Sequence, residues 1–182
     1  MKRTFTFLLI LLMTCTIGCF QSQINIPMAS PSGSVSSTVG LTDITIDYFR
    51  PGVKDRKIFG SGDDYLQPYG IVWRTGANNG TVLTLGTDVK IGGKDVAKGE
   101  YLIFTIPGET EWRFMLYDDL SIGGNTAAYD ENHEVLNVGI SPGKTAELVE
   151  RLTFQITDIS EDNTSANIEM KWENTRLVIP VK

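Results

Sequence analysis

Short runs in which apolar and polar residues alternate are what most constrain this chain. Ile44, Ile46 and Tyr48 alternate with Asp43, Thr45 and Asp47. The pattern returns at Leu152, Phe154 and Ile156, at Ala166, Ile168, Met170 and Trp172, and at Leu177, Ile179 and Val181. A period of two puts every second side chain on one face of an extended strand, so each run predicts a half-buried strand. Between the runs stand Pro51-Gly52, Pro68-Tyr69-Gly70, Pro107-Gly108 and Asp158 to Asn163, residues that turn the chain. Gly92-Gly93 suits a two-residue hairpin, whose central positions both need positive φ. The runs Glu100 to Ile106 and Trp112 to Tyr117 are almost continuously β-prone and are expected to pair as a central hairpin. Thr81 to Leu85, Asp88 to Ile91 and Glu134 to Ile140 complete the strands. Thr145 to Leu152 alone has a helix-like composition, and is read as an irregular crossover or one short helix. The expectation is an all-β domain, a single antiparallel β-sandwich of jelly-roll character with roughly ten strands and at most one short helix.

The first nineteen residues stand apart. Lys2-Arg3 precedes the apolar run Phe5 to Met13, and Thr16-Ile17-Gly18-Cys19 follows it. A short basic region, an apolar stretch too short to span a bilayer and small residues at the end are the layout of a secretory signal peptide. Gly18-Cys19 resembles the lipobox of bacterial lipoproteins, in which the cysteine is acylated as the first mature residue. Thr16 departs from that pattern, which usually has leucine three residues before the cysteine. Residues 1–19 are therefore read as a lipoprotein-type leader with Cys19 as the lipidation site. Residues 20–33, within a Ser-, Gln-, Pro- and Gly-rich stretch, are read as a flexible tether, and 34–182 as the sandwich domain.

Cys15 and Cys19 are the only cysteines, so the folded domain has neither a disulfide nor a thiol ligand. About 160 residues remain beyond the leader, enough to bury a core without such crosslinks. The net charge of −6 becomes −8 once Lys2 and Arg3, the leader's only charges, are removed. Such an acidic balance argues against nucleic acid and against anionic membranes as partners of the general surface. Any membrane contact is expected through the lipid anchor alone.

Val72-Trp73-Arg74-Thr75-Gly76-Ala77-Asn78-Asn79-Gly80-Thr81 gathers an aromatic ring, a guanidinium and two amides where a strand ends. Loops on a rigid scaffold are where binding groups usually lie. Arg50, Arg56, Lys57 and Tyr69 stand nearby in sequence. Arginine holds carboxylates and phosphates in bidentate fashion, and aromatic faces suit sugars or rings. Arg50, Arg56, Lys57, Tyr69, Trp73, Arg74 and Asn78 are thus the candidate ligand-binding set, for an anionic or sugar-like molecule. A plainer reading puts Trp73 in the core, pairs Arg74 with a strand-end Asp, and leaves Asn-Asn-Gly to close a turn. Asn79-Gly80-Thr81 also matches a glycosylation sequon, which matters only in a eukaryotic secretory host.

Other chemistry is thinly represented. Gly-rich phosphate loops, His-Glu-x-x-His and Gly-x-Ser-x-Gly are all missing. His133, the single histidine, lies among Asp130, Glu131 and Glu134 and reads as part of a solvated turn rather than as a general base. Asp63-Asp64, Asp118-Asp119, Asp130-Glu131 and Glu161-Asp162 lack calcium-loop spacing, and adjacent acids on a strand point to opposite faces. Neither a metal nor a cofactor is expected, and no catalytic residue is assigned.

Several of these motifs occur together in one known family. Arg50-Pro51-Gly52-Val53-Lys54-Asp55-Arg56-Lys57-Ile58-Phe59-Gly60 followed by Pro68-Tyr69-Gly70-Ile71-Val72-Trp73-Arg74-Thr75-Gly76-Ala77-Asn78 resembles the bacterial domain-of-unknown-function 2911 family. Gly99-Glu100-Tyr101, Phe104 to Gly108 with Trp112, Glu150 to Phe154 and Trp172-Glu173-Asn174-Thr175 extend the resemblance from about Ser30 to the C-terminus. It implies an exported bacterial protein, often with a lipoprotein leader, and no assigned activity. Asn79 departs from it, because the family usually has Glu there. Leu120 to Thr126 departs too, where relatives often carry a Trp-Gly segment. The function expected is a non-enzymatic envelope module that binds a small ligand or an envelope protein. A hydrolase acting on a glycan or ester, and a structural protein whose edge strands meet a partner chain, are the alternatives. Mass spectrometry of the membrane-extracted protein is expected to find an acylated Cys19 at the mature N-terminus; an unmodified one would mean ordinary cleavage and release.

Overall fold

The computed structural model describes residues 27–182, so the leader and the first part of the tether fall outside the described residues. In chain order the strands are β1 (Ser32–Val39), β2 (Thr42–Phe49), β3 (Phe59–Gly60), β4 (Gln67–Pro68), β5 (Thr81–Leu85) and β6 (Val89–Ile91). They continue with β7 (Lys94–Val96), β8 (Gly99–Ile106), β9 (Trp112–Tyr117), β10 (Glu134–Ile140), β11 (Gly143–Thr157) and β12 (Ala166–Val181). The structure describes no helix longer than a single 3-10 turn.

Alternation sorts ten of these strands into two packed sheets, and β3 and β4 form a short parallel pair of their own. A six-stranded antiparallel sheet runs β1-β2-β5-β8-β9-β10, and a four-stranded one runs β11-β12-β6-β7. Ile44 faces Leu85 and Ile46 faces Leu83 across the β2–β5 ladder, so the buried residues of one strand meet those of the next. The same core contains Leu152, Phe154, Ile168, Met170, Leu177 and Ile179 from the opposite sheet. Burying two such faces against each other is what stabilises a sandwich. The first sheet follows chain order from β1 to β10, with β6–β7 the one excursion into the other sheet. It reads as a meander, and the expected jelly-roll character is not confirmed. Gly92 and Gly93 join β6 to β7 with φ of 57° and 83°, the hairpin geometry their sequence implied.

Two segments differ from expectation. β1 begins at Ser32, inside the stretch read as tether, because Ser32 to Val39 pairs residue for residue with β2. Thr145 to Leu152 lies within β11, and is neither a helix nor an irregular crossover. Partner strand β12 supplies the hydrogen bonds, with irregularities around Val149 that leave Leu148 in solvent. Helix-favouring composition is a weak preference, and a long neighbouring ladder overrides it.

One aromatic cluster ties the two sheets together. The Trp73 indole stacks on Trp172, with centroids 5.5 Å apart and planes 22° from parallel, and Phe59 sets its edge against Trp73, Trp112 and Trp172. Trp73, Trp112 and Trp172 are all essentially buried. A second, smaller core lies on the outer face of the six-stranded sheet. There Leu102, Phe104, Met115 and Tyr117 are covered by Val72, Val82, Ile106, Ile122 and Tyr129. Strand β8 is therefore buried on both faces, which explains why its sequence runs apolar without alternation.

The outer core is roofed by the segment between β9 and β10. It forms three 3-10 turns, Leu120–Ile122, Thr126–Ala128 and Glu131–His133. Asp119, Asn125 and Asp130 precede them, each side chain accepting a hydrogen bond from the backbone N–H two residues on. His133 Nδ1 lies 2.8 Å from Asp118 Oδ1. That hydrogen bond, helped by the surrounding carboxylates, raises the imidazole's pKa.

Removing the indole of Trp73 is expected to leave a cavity and lower the unfolding free energy by about 3–5 kcal/mol, measured by urea denaturation of Trp73→Ala. A loss below about 1 kcal/mol would show the ring to be dispensable for packing. His133 is expected to titrate above the ordinary imidazole value of about 6.5 in an NMR pH series, and Asp118→Asn to bring it back. Because the folded pKa lies above the unfolded one, this contribution is complete below the unfolded value and disappears as pH rises through the folded value. No change on Asp118→Asn would assign the shift to another group.

Candidate functional site

The stretch from Val72 to Thr81 begins where β5 leaves off. Strand β5 pairs with β8 only as far as Thr81 opposite Ile103. Beyond that point β5 no longer reaches β8, and Trp73 takes the place beside it. Trp73 donates to the Thr105 carbonyl at 2.7 Å, and the Thr105 N–H donates back at 2.9 Å. Being extended there, the chain sends successive side chains to opposite faces. The Trp73 ring goes into the sandwich and its Nε1 donates to the Gly76 carbonyl at 3.2 Å. Arg74 goes outward.

After Arg74 the chain turns on buried threonines. Thr75 has φ of 49° and no exposed surface; its hydroxyl lies 3.1 Å from that of Thr105. The Thr81 hydroxyl donates to the Thr75 carbonyl at 2.6 Å. Asn78 and Gly80 also take positive φ, 51° and 85°, and bring the chain round into β5. The Arg74 guanidinium folds back over this turn, with Nη1 donating to the Asn78 carbonyl at 3.0 Å. The Asn78 side chain donates to Ser30 at 3.3 Å, joining the turn to the start of the domain.

Against this turn rests the roof. Gly124 fits only because it has no side chain: a Cβ there would lie 2.4 Å from the Asn78 carbonyl oxygen and 2.8 Å from Arg74 Cδ. Between turn, roof and sheet opens a cleft of about 830 Å³. Val82 and Leu102 form its floor, Leu120 to Ala127 one wall, and Arg74, Asn78, Asn79 and Glu100 its polar groups. Arg74 keeps guanidinium N–H groups beyond the one given to Asn78, and has no carboxylate partner among the described residues. Glu100 likewise makes no side-chain hydrogen bond or ion pair among them. The cleft thus offers one positive and one negative group over an apolar floor. That arrangement suits binding by charge and shape.

Of the seven candidate residues, Arg74 and Asn78 meet in this cleft. Trp73 is buried and presents no ring face to a ligand, as the plainer reading had it. Arg50 donates to the Leu152 carbonyl and the Thr153 hydroxyl, both at 3.3 Å. Arg56 clamps the carbonyls of Val53 and Gly52 at 3.0 and 2.6 Å, fixing the turn after β2. Lys57 pairs with Asp64 at 2.5 Å on the surface. Tyr69 belongs to the short β3–β4 unit, its N–H donating to the Gly60 carbonyl at 2.9 Å. Burial, and secondarily Glu109, raises its phenol pKa. These five do not line the cleft. Glu100 and the roof are the groups that sequence reasoning missed. Parity could have found Glu100, which shares the outer face of β8 with Leu102, but only with the pairing to β5 already known.

Among the described residues no group of three or more His, Cys, Asp or Glu side chains gathers as a metal site. Comparison with curated proteins and with solved structures found no match. A match does come from the model of the family described as "Protein of unknown function (DUF2911)", which spans residues 30–181. The chain carries the quoted motifs in order across that span, and it belongs to this family.

Proposed function

We propose that this is an exported protein, held at the bacterial cell envelope by an acylated Cys19, which binds a small polar ligand without transforming it. One observation carries the binding reading: Arg74 and Asn78 of the most distinctive motif open, with Glu100, onto one cleft of about 830 Å³. The guanidinium is anchored on the Asn78 carbonyl, so little rotational freedom is lost when it takes a carboxylate or phosphate. Val82 and Leu102 supply a flat apolar base for the remainder of the ligand. Glu100 is the single carboxylate in the lining, whereas ordinary glycoside hydrolysis takes two flanking the bond. This favours binding over a hydrolase acting on a glycan.

A thermal-shift screen against organic acids, sugars and nucleotides tests the reading. A ligand present at about a hundred times its Kd stabilises by about 2.7 kcal/mol, which for a domain of this size raises Tm by roughly 5–10 °C. Arg74→Ala is expected to abolish the shift given by an anionic hit. A shift that survives the substitution would place the site elsewhere, and a screen without hits would count against a small-ligand function.

A further inference from the structure

Resting on that reading, we infer that residues 119–128 of the roof are a lid, which lifts on two tied ends to admit the ligand. The inference comes from where the hydrogen bonds of this segment go. Ser121 N–H donates to the Asp119 carboxylate at 2.9 Å and Gly123 N–H to the Leu120 carbonyl at 3.1 Å. Asn125 N–H donates to the Ile122 carbonyl at 3.0 Å and Ala128 N–H to the Asn125 carbonyl at 3.1 Å. Among the described residues, none joins the segment to the sheet or to the turn at Asn78. Both ends, by contrast, are tied down. Asp118 N–H donates to the His133 carbonyl at 3.1 Å, and Asp130 N–H to the Tyr117 hydroxyl at 3.3 Å. The Tyr129 ring stacks on Tyr117 with centroids 5.1 Å apart, and its hydroxyl donates to Glu134. A compact surface loop whose ends are held together is a common form for a functional element.

Contact alone holds the middle down. Ile122 is the one side chain of the segment that packs on the outer core. At the other contact, Gly123 and Gly124 lie against Asn78, Asn79 and Gly80, and a Cβ at Gly80 would lie 3.5 Å from the Gly124 Cα. Being glycines, the two send no side chain across this seam, so parting it breaks no hydrogen bond and frees no interlocked group. The floor supplies the reason for lifting. Leu102 lines the cleft, yet it is only 2% exposed while the segment is down. A ligand that rests on Leu102 therefore reaches it only after Ile122 has been withdrawn.

Native-state proteolysis of the full chain in detergent micelles, with thermolysin as the probe, tests the inference. Thermolysin cuts before large apolar residues, and Leu120 and Ile122 are such sites within the segment. The first cut is expected at one of them, at a rate that hardly changes in low urea, because lifting exposes little surface. A first cut elsewhere, or a rate that climbs with urea as steeply as global unfolding, would overturn the inference. A reversible lock gives a second measurement. A Cβ on Gly123 would lie 3.9 Å from the Asn79 Cβ, a separation that a disulfide spans. In the Asn79→Cys/Gly123→Cys variant, oxidation is expected to slow the cut about tenfold or more, and reduction to restore it. Gly123 has φ of 51°, where cysteine is strained, but the oxidised and reduced forms share that strain. Equal rates in the two forms, with the crosslink confirmed by mass, would also overturn the inference. Proteolysis needs no ligand, so the two readings can fail separately. If an anionic hit raises Tm in an Arg74-dependent way while the segment resists cutting, the lid fails and the binding reading survives. If the segment is cut as expected and no ligand of any class binds, the binding reading fails and takes the lid's purpose with it.

Discussion

The two hydrogen bonds between Trp73 and Thr105 are the constraint on which the outer half of this molecule depends. They extend the β8 ladder past the end of β5 and hold one residue pair in strand geometry. Alternation then does the rest: an indole is driven into the sandwich, and a guanidinium is set on the opposite face. The indole's position is reinforced by its stack on Trp172, which belongs to the other sheet. The most recognisable motif of the chain therefore has a double nature. Its tryptophan joins the layers of the fold, and its arginine and asparagine face the cleft that fold creates.

Electrostatics fit the same division. Three arginines, Arg50, Arg56 and Arg74, looked alike in sequence as candidates for a site, yet their guanidinium groups have different duties. Arg56 and Arg50 spend theirs on backbone carbonyls around β11 and the turn after β2, where they hold chain segments together. Arg151 does the same on the Arg50 carbonyl at 3.1 Å. Arg74 alone of the three candidates opens onto the cleft, and there it shares the space with Glu100, which has no side-chain partner among the described residues.

Most of the strands were legible because each has one wet and one dry face, and a period of two reveals that directly. A change of parity within β12, opposite the irregular part of β11, left a trace as well. The strand's inward residues have even numbers up to Trp172 and odd numbers from Thr175, and the parity changes at Glu173, whose φ is 55°. Thr145 to Leu152 was misread because its residues favour a helix locally, while the ladder that claims them is supplied by residues some twenty-five positions on. In the site, Arg74 and Asn78 could be found from motif chemistry. Glu100 could not, since its role rests on which strand lies beside β8, and that is a property of the whole sheet. The separate fates of Arg50, Arg56 and Lys57 were hidden for a similar reason: composition shows the cation but not the carbonyl or carboxylate it meets.

The roof of the cleft has a mechanical consequence. Between Leu120 and Ala128 its 3-10 turns are held by side-chain caps and bonds that span two or three residues, the tie to β9 coming only at its far end through Asp130 and His133, whereas the floor belongs to a six-stranded ladder. Segments with local bonding open at lower free energy than the sheets they cover. The two sides of the cleft therefore differ in stiffness, the floor being rigid and the roof compliant. Amide hydrogens in the roof should exchange through local opening, and those of β8 through global unfolding. A cleft built in this way can change its width on the roof side while the sheet side keeps its shape.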